Sequence, residues 1–197
     1  PEDAPNVIFP INLGVGCRSR GKETEDTRPE TAGELILNNG SVTMPDYCYL
    51  GFYNGTPATD PTGALQSKII VNGGVFSAKA MRLYHDNNGN MMTGSPTLEV
   101  NGGEVNLSTY LESAYSSYTA TDAIAPVSTV RVTGGILRVG KDFNIGCSAA
   151  SPESVTIVGG TGILEVTGNI NLSQKATSKP QRLYLNEGGT IRTKGSI

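Results

Sequence analysis

The chain has 197 residues, the length of one domain, with 25 glycines and no tryptophan. Its formal net charge is −3 and its isoelectric point is near 5.2. The sequence contains neither a basic patch nor an apolar run long enough to cross a bilayer. We therefore expect no nucleic-acid partner and no membrane span.

Residues 1–33 do not share the pattern of the rest of the chain. The apolar run Val7-Ile8-Phe9 is followed by the charged stretch RSRGKETEDTRPETAG. We expect the apolar part to cap the first repeat and the charged part to form a solvated loop. The sequence begins with Pro1 rather than Met and shows no signal peptide. Either a leader was removed or a longer chain was cut.

From residue 34 onward one motif recurs in six copies. IIVNGGVF at 69–76 and LEVNGGEV at 98–105 share the order apolar–x–apolar–Asn–Gly–Gly–x–apolar. With the second glycine of each motif as reference, the copies are centred on Gly40, Gly74, Gly103, Gly135, Gly162 and Gly189. Such regular recurrence predicts a repeat architecture.

Each copy holds three short stretches in which apolar residues alternate, as in strands with one buried face. Two and four places after the glycine stand Val42/Met44, Phe76/Ala78, Val105/Leu107, Leu137/Val139, Leu164/Val166 and Ile191/Thr193. Eight places after it stand Cys48, Arg82, Leu111, Phe143, Ile170 and Ile197. Before it stand Leu35/Leu37, Ile69/Val71, Leu98/Val100, Val130/Val132, Val155/Ile157 and Leu183/Leu185. We predict that these columns face one shared core.

The pattern predicts an all-β fold: a right-handed parallel β-helix, or three-sided β-solenoid, of about six coils over residues 34–197. Asn-Gly-Gly would form the corner between two strands, because glycine supplies a positive φ there. Asn38, Asn72 and Asn101 share one column and predict an asparagine ladder that Thr133 interrupts. An antiparallel sandwich or a propeller is the alternative, but neither fold requires the same positions of all six copies to face the core.

Charged residues that could support chemistry are sparse. Arg138, Glu165 and Arg192 fall in one outward column of consecutive copies, and Glu99 precedes Arg131 in the same way. No two acids stack in adjacent copies of one column, so the acid/base pair of a glycosidase is not visible. We expect structural charge ladders, no catalytic residues and no enzyme.

The stretch HDNNGN at residues 85–90 is the weak candidate for a metal site. Asp86, Asn88 and Asn90 stand at alternate positions, as in a calcium loop. Gly89 is out of place for such a loop, and Thr97 stands where a bidentate glutamate is required. A polar corner loop is the favoured interpretation, and we expect no metal and no cofactor.

Tyrosines near one predicted corner are the candidates for ligand binding. They are Tyr47, Tyr49, Tyr53, Tyr110, Tyr115 and Tyr118. Exposed tyrosines offer flat faces with a polar tip to sugars or proteins. Packing of long loops on the sheet is the alternative interpretation. Insertions concentrate at the same corner, the place where solenoids carry recognition.

The last copy has no obvious cap after it. Leu183, Leu185, Ile191 and Ile197 would face the core of a final coil with an open C-terminal end. Such an end exposes strand edges and apolar core. We expect it to be an assembly surface that meets the next subunit head to tail or the continuation of a longer parent.

LEVNGGEVNL and VRVTGGILRV resemble the strand repeats of bacterial autotransporter passengers and related surface β-helix proteins, which share the pectate-lyase-like β-solenoid. The resemblance covers roughly residues 34–197 and implies an extracellular or cell-surface structural or adhesive protein. Because the shared motif is structural, it carries over no catalytic residue. A carbohydrate-binding or polysaccharide-cleaving β-helix and a phage fibre or tailspike segment remain alternatives. The implied partners are a second copy at the solenoid ends and a carbohydrate or host-surface ligand.

Overall fold

A computed structural model of the chain describes residues 6–8, 13–15, 18–19, 33–54, 67–86, 95–113, 115–116, 127–146, 153–172 and 180–197. These residues contain strands and no helix. The strands are β1 (Asn6–Ile8), β2 (Leu13–Val15), β3 (Arg18–Ser19), β4 (Gly33–Leu37), β5 (Ser41–Thr43), β6 (Tyr47–Asn54), β7 (Ser67–Val71), β8 (Val75–Ala78), β9 (Ala80–Asp86), β10 (Thr97–Val100), β11 (Glu104–Leu107), β12 (Leu111–Glu112), β13 (Tyr115–Ser116), β14 (Val127–Val132), β15 (Ile136–Val139), β16 (Phe143–Ile145), β17 (Glu153–Val158), β18 (Ile163–Val166), β19 (Ile170–Leu172), β20 (Gln181–Leu185) and β21 (Thr190–Thr193).

The described strands form three sheets. Sheet 1 holds the strands before each glycine corner, in the order β4-β7-β10-β14-β17-β20. Sheet 2 holds those after the corner, in the order β1-β5-β8-β11-β15-β18-β21, and sheet 3 runs β2-β6-β9-β12-β16-β19 with β3 beside β6 and β13 beside β9. Every pairing is parallel and each sheet follows chain order. The protein is a three-sheet parallel β-solenoid, which excludes the antiparallel sandwich.

The core is the shared interior of the three sheets. The columns two and four places after the reference glycine are buried in the first five copies, and Phe143 and Ile145 of sheet 3 are fully buried. Leu137 and Val139 of the same copy are buried with them, as predicted. Stacked strands therefore bury a continuous apolar column that no single copy could bury alone.

One predicted core position is wrong, and the reason is the length of a corner. Met81, not Arg82, is the Cα partner of both Cys48 and Leu111, and Met81 and Leu83 are fully buried. Only Lys79 separates β8 from β9, whereas residues 44–46 separate β5 from β6. Because side chains alternate, a shorter connection moves Arg82 from the predicted core column to the outer face.

A second register error lies in the fifth copy. Thr156 and Val158 are buried, whereas Val155 and Ile157, which we predicted to face the core, pair with the outward Thr129 and Arg131. The corner that follows has four residues, 159–162, and its positive φ of 59° falls at Gly160 rather than at the reference glycine. We counted back from Gly162, the last residue of this longer corner, and therefore assigned the buried face of β17 one residue too early.

The Asn-Gly-Gly corner is a close contact between successive copies. Gly74 has a φ of 77°, and a Cβ there would lie 2.3 Å from the carbonyl oxygen of Gly40. The predicted ladder is present: Asn72 Nδ2 donates to Asn38 Oδ1 at 2.8 Å, and Asn101 Nδ2 donates to Asn72 Oδ1 at 3.1 Å. Thr133 Oγ1 donates to Asn101 Oδ1 at 3.0 Å. Threonine thus extends the ladder instead of interrupting it.

The described part of the N-terminal segment joins the same sheets. Strand β1 pairs with β5 in sheet 2, and β2 and β3 pair with β6 in sheet 3. Most of the charged stretch that follows lies outside the described residues.

Candidate functional site

The outer face of sheet 3 carries an aromatic cluster. Tyr47 and Tyr49 project from β6 with their rings stacked, 5.7 Å between centroids and 17° between planes. Tyr110, just before β12, brings its hydroxyl oxygen to 2.6 Å from that of Tyr47. The structure therefore brings together three of the six tyrosines that the sequence indicated.

Arg82 is the centre of this cluster. Its guanidinium carbon lies 5.0 Å from the Tyr47 ring centroid and 5.6 Å from that of Tyr110. Its Nε donates to Glu112 Oε2 at 2.5 Å, and its Nη2 donates to the Tyr110 hydroxyl at 3.3 Å. Cation–π contacts of this kind strengthen when partly shielded from water. Sequence reasoning missed Arg82 and Glu112, although an arginine in an apolar column was the available signal.

Burial raises the pKa of two tyrosines of the cluster. It raises the pKa of Tyr49, against the opposing positive charge of Arg82. Burial, and then the hydrogen bond with Tyr47, also raise the pKa of Tyr110. Tyr49 and Tyr110 therefore stay neutral beside the paired Arg82, an arrangement suited to packing and hydrogen bonding.

Lys79 closes one side of the cluster. Its Nζ lies 3.2 Å from Asp46 Oδ1 and 5.3 Å from the Tyr47 ring centroid. Two cations of the chain itself thus contact the Tyr47 ring. This geometry favours the interpretation that Tyr47 packs within the molecule.

The other candidates are described in part or not at all. Only the backbone is described for Tyr53, Tyr115 and Asp86, where Tyr53 pairs with Asp86 and Tyr115 with His85 on adjacent strands of sheet 3. Tyr118, Asn88 and Asn90 lie outside the described residues. Within the described ranges, no group of three or more His, Cys, Asp or Glu side chains could hold a metal ion.

The predicted charge ladder lies on the outer face of sheet 2. Arg138 Nε donates to Glu165 Oε2 at 3.0 Å, and Arg192 Nη1 donates to Glu165 Oε1 at 2.7 Å. Arg138 Nη1 also donates to Glu104 Oε2 at 2.7 Å. Glu104 was missed because it stands in a different outward column, one place after its glycine.

The acids of this ladder are held in their ionised form. Hydrogen bonds from Arg138 and then Asn106 keep the pKa of the Glu104 carboxyl below its ordinary value. A hydrogen bond from Arg192, followed by one from Arg138, does the same for the pKa of Glu165. A general acid of a glycosidase needs a raised pKa, so neither carboxyl fits that role.

A shallow groove of about 520 Å³ runs along this face. Its lining includes Ser77, Lys79, Asn106, Arg138 and Glu165. Lys79 also belongs to the tyrosine cluster on sheet 3, so groove and cluster adjoin at the corner between the two sheets. The groove offers hydroxyl, amide and charged groups to a polar ligand.

The last described copy carries the predicted assembly residues. Leu183 and Ile191 pack partly buried against the core. Leu185 is 57% exposed and Ile197 is 69% exposed. Leu185 pairs with the buried Val158 and so lies in an inward column with no described strand on its other side.

No protein-family model, no curated protein and no solved structure matches this chain. Among the described residues there is no helix long and apolar enough to cross a membrane.

Proposed function

We propose that this protein is an extracellular structural or adhesive β-solenoid that assembles end to end into a filament or forms part of a longer surface stalk. In this proposal its coils are right-handed, about six in number, one for each copy of the motif. The observation that carries the proposal is the rung formed by β20 and β21. Each of these strands pairs on one side only among the described strands.

An unpaired parallel strand is a template for another strand. Its main-chain donors and acceptors on the open side are satisfied best by a further strand in the same register. Leu185 adds an apolar contribution, because covering its exposed side chain would stabilise a contact by about 1 kcal/mol. A next subunit or a continuing chain would supply both.

The opposite end has matching chemistry. Val7 of β1 is 43% exposed and pairs with the inward Val42, and β1 is the last of the described strands at this edge of sheet 2. A contact between this end and the β20–β21 end joins two different surfaces. Such head-to-tail contacts do not close on themselves when the subunits share one axis, so they propagate as a filament.

The outer faces support a structural role more than a catalytic one. The acids of the sheet 2 ladder are paired with arginines, and Glu112 on sheet 3 is paired with Arg82. The surface location and the adhesive role rest on the resemblance of the repeats to those of autotransporter passengers and related β-helix proteins.

Light scattering tests the proposal. We expect the wild-type chain to increase in mass with concentration beyond a dimer, and Leu185→Lys to abolish that growth by placing a charge at the joint. Ser108→Lys is the matched control, because Ser108 is exposed on the third of the six copies, away from both ends. A wild-type chain that stays monomeric at about 1 mM would contradict end-to-end assembly, since even weak contacts are populated there.

A carbohydrate-binding β-helix is the second candidate, and the groove on sheet 2 favours it. The Ser77 hydroxyl and the Asn106 amide line it beside Arg138, and these polar groups of a largely apolar lining could bond the hydroxyl groups of a saccharide. Calorimetry with acidic and neutral oligosaccharides would test this, with Asn106→Ala as the variant expected to weaken binding. An absence of heat at millimolar ligand would contradict it.

A further inference from the structure

The outer face of sheet 1 carries a column of apolar side chains around two central charges. From β4 to β20 the in-register positions are Ile36, Ile70, Glu99, Arg131, Ile157 and Tyr184. Ile36 is 50% exposed and Tyr184 is 45% exposed. A row of large apolar side chains along a water-facing sheet indicates an interaction surface.

The order of this column is self-complementary. It reads apolar, apolar, acid, base, apolar, apolar. Reversed and placed against itself, it sets Ile36 opposite Tyr184 and Ile70 opposite Ile157. The same reversal sets Glu99 opposite Arg131, so both apolar pairs and the charge pair match.

The neighbouring outward column has the same property. Its in-register members are Glu34, Lys68, Thr97, Thr129, Val155 and Arg182. Reversal places Thr97 opposite Thr129 and sets Glu34 opposite Arg182, which is also paired with Glu153 of its own chain. The pairing of Lys68 with Val155 is the exception, because it sets a charged side chain opposite an apolar one.

We propose that a second copy of this chain docks on the outer face of sheet 1, with the two solenoid axes antiparallel. The two copies would be related by a two-fold axis that runs parallel to the strands and passes between β10 and β14. This rotation leaves each residue at the same position along its strand and reverses the order in which the strands are stacked. Each column then meets its own reversed copy, as an isologous interface requires. A parallel arrangement would instead place each strand opposite itself, bringing Glu99 to Glu99 and Arg131 to Arg131.

The central charges are available for this contact. Glu99 and Arg131 are Cα partners on adjacent strands, yet no ion pair within 4.0 Å joins them in the described structure. The charges of the sheet 2 ladder and the Arg182–Glu153 pair of sheet 1, by contrast, are paired within the chain. In the antiparallel dimer, Glu99 of each copy would face Arg131 of the other, so the two-fold symmetry would give two such contacts.

The face is small, which sets the expected affinity. Six strands spaced about 4.8 Å apart and about five residues long give a face of roughly 24 Å by 15 Å. The buried area would be roughly 360 Å² on each copy, below the range of stable complexes, so we expect a weak, reversible dimer with a dissociation constant of about 0.1 mM. This lateral contact is independent of the end-to-end contact proposed above.

Sedimentation velocity on the Leu185→Lys chain isolates the lateral contact, because that substitution blocks growth at the end. We expect a monomer–dimer equilibrium between about 1 µM and 1 mM. Glu99→Arg and Arg131→Glu, each added separately, should weaken the dimer more than tenfold, because each places like charges at the two-fold axis. Circular dichroism confirms that each variant is folded, and Ser108→Lys should dimerise like the parent.

Mixing the two variants is the decisive step. The introduced arginine of one chain faces the introduced glutamate of the other, and the unchanged Arg131 and Glu99 also face each other. We therefore expect the equimolar mixture to regain dimerisation near the parent's affinity, which a fault within one chain could not produce. A parent that stays monomeric, single variants that dimerise normally, or a mixture without recovery would each overturn the proposal. Filament growth of the wild-type chain is measured separately, so either contact can fail without the other.

Discussion

Replacing Thr156 by valine should stabilise the protein, because it removes a buried hydroxyl that has no partner. Thr156 is fully buried in β17, and its Oγ1 makes no hydrogen bond in the described structure. A buried, uncompensated hydroxyl costs about 1–3 kcal/mol in proteins. Valine keeps the shape and the β-branching, so most of that cost is recovered without a cavity. We expect Thr156→Val to raise the free energy of unfolding by about 1–2 kcal/mol.

Urea denaturation at constant m-value measures this change. Val155→Thr is the matched control, since Val155 is on the outer face of the same strand and should tolerate a hydroxyl with a change under about 0.5 kcal/mol. The register predicted from the sequence, with Val155 inside, requires the opposite: a costly Val155→Thr and a neutral Thr156→Val. That pair of results would refute the assignment of faces in β17.

Further predictions concern the core, a corner and the charge ladder. Phe143→Ala should cost about 3–5 kcal/mol in urea denaturation, because Phe143 is fully buried; a loss under 1 kcal/mol would contradict the core assignment. Gly74→Ala should cost at least about 1–2 kcal/mol, since its positive φ disfavours a Cβ and the Gly40 carbonyl oxygen blocks it; an unchanged melting temperature would contradict the close corner. Glu165→Gln should change stability by under about 1 kcal/mol, because the ion pairs are partly exposed. The pKa values of Glu104 and Glu165 are lowered in the folded state, so both carboxylates stabilise the protein above the ordinary glutamate pKa, and this stability is lost as the pH falls through the folded pKa values. If Glu165→Gln left the pH dependence of the unfolding free energy unchanged, this prediction would be contradicted.

The repeat spacing predicted the sheets because it is a property of many residues at once. An apolar residue recurs two places after the reference glycine at Val42, Phe76, Val105 and Leu137, and one exception does not hide this pattern of inward-facing positions. The asparagine ladder was predictable for the same reason. A column of identical polar residues beside a glycine corner leaves little choice of geometry.

The errors occur where one residue decides the outcome. A connection reduced to Lys79 turned Arg82 outward, and a four-residue corner turned Val155 outward. Corner length is hard to read when several glycines stand together, as in the GGTG of residues 159–162. A shift of one residue exchanges the two faces of a strand, so small counting errors have large structural effects.

The candidate site was only partly predictable for a related reason. Tyr47, Tyr49 and Tyr110 were identifiable as aromatic side chains near one corner. The role of Arg82 depended on the register that the sequence left open. Glu104 depended on the reach of Arg138 across a strand pair, from one outward column to another. Side-chain reach between columns is not encoded in the spacing of a repeat.

The most direct test of the proposed end-to-end assembly is electron cryomicroscopy of the wild-type chain at high concentration. The seven described strands of sheet 2, stacked about 4.8 Å apart, predict a filament with an axial rise of roughly 30–35 Å per subunit. The strands should lie perpendicular to the filament axis and give a layer line near 4.8 Å along it. Isolated particles of one subunit, or filaments whose solenoid axes lie across the filament axis, would contradict the account.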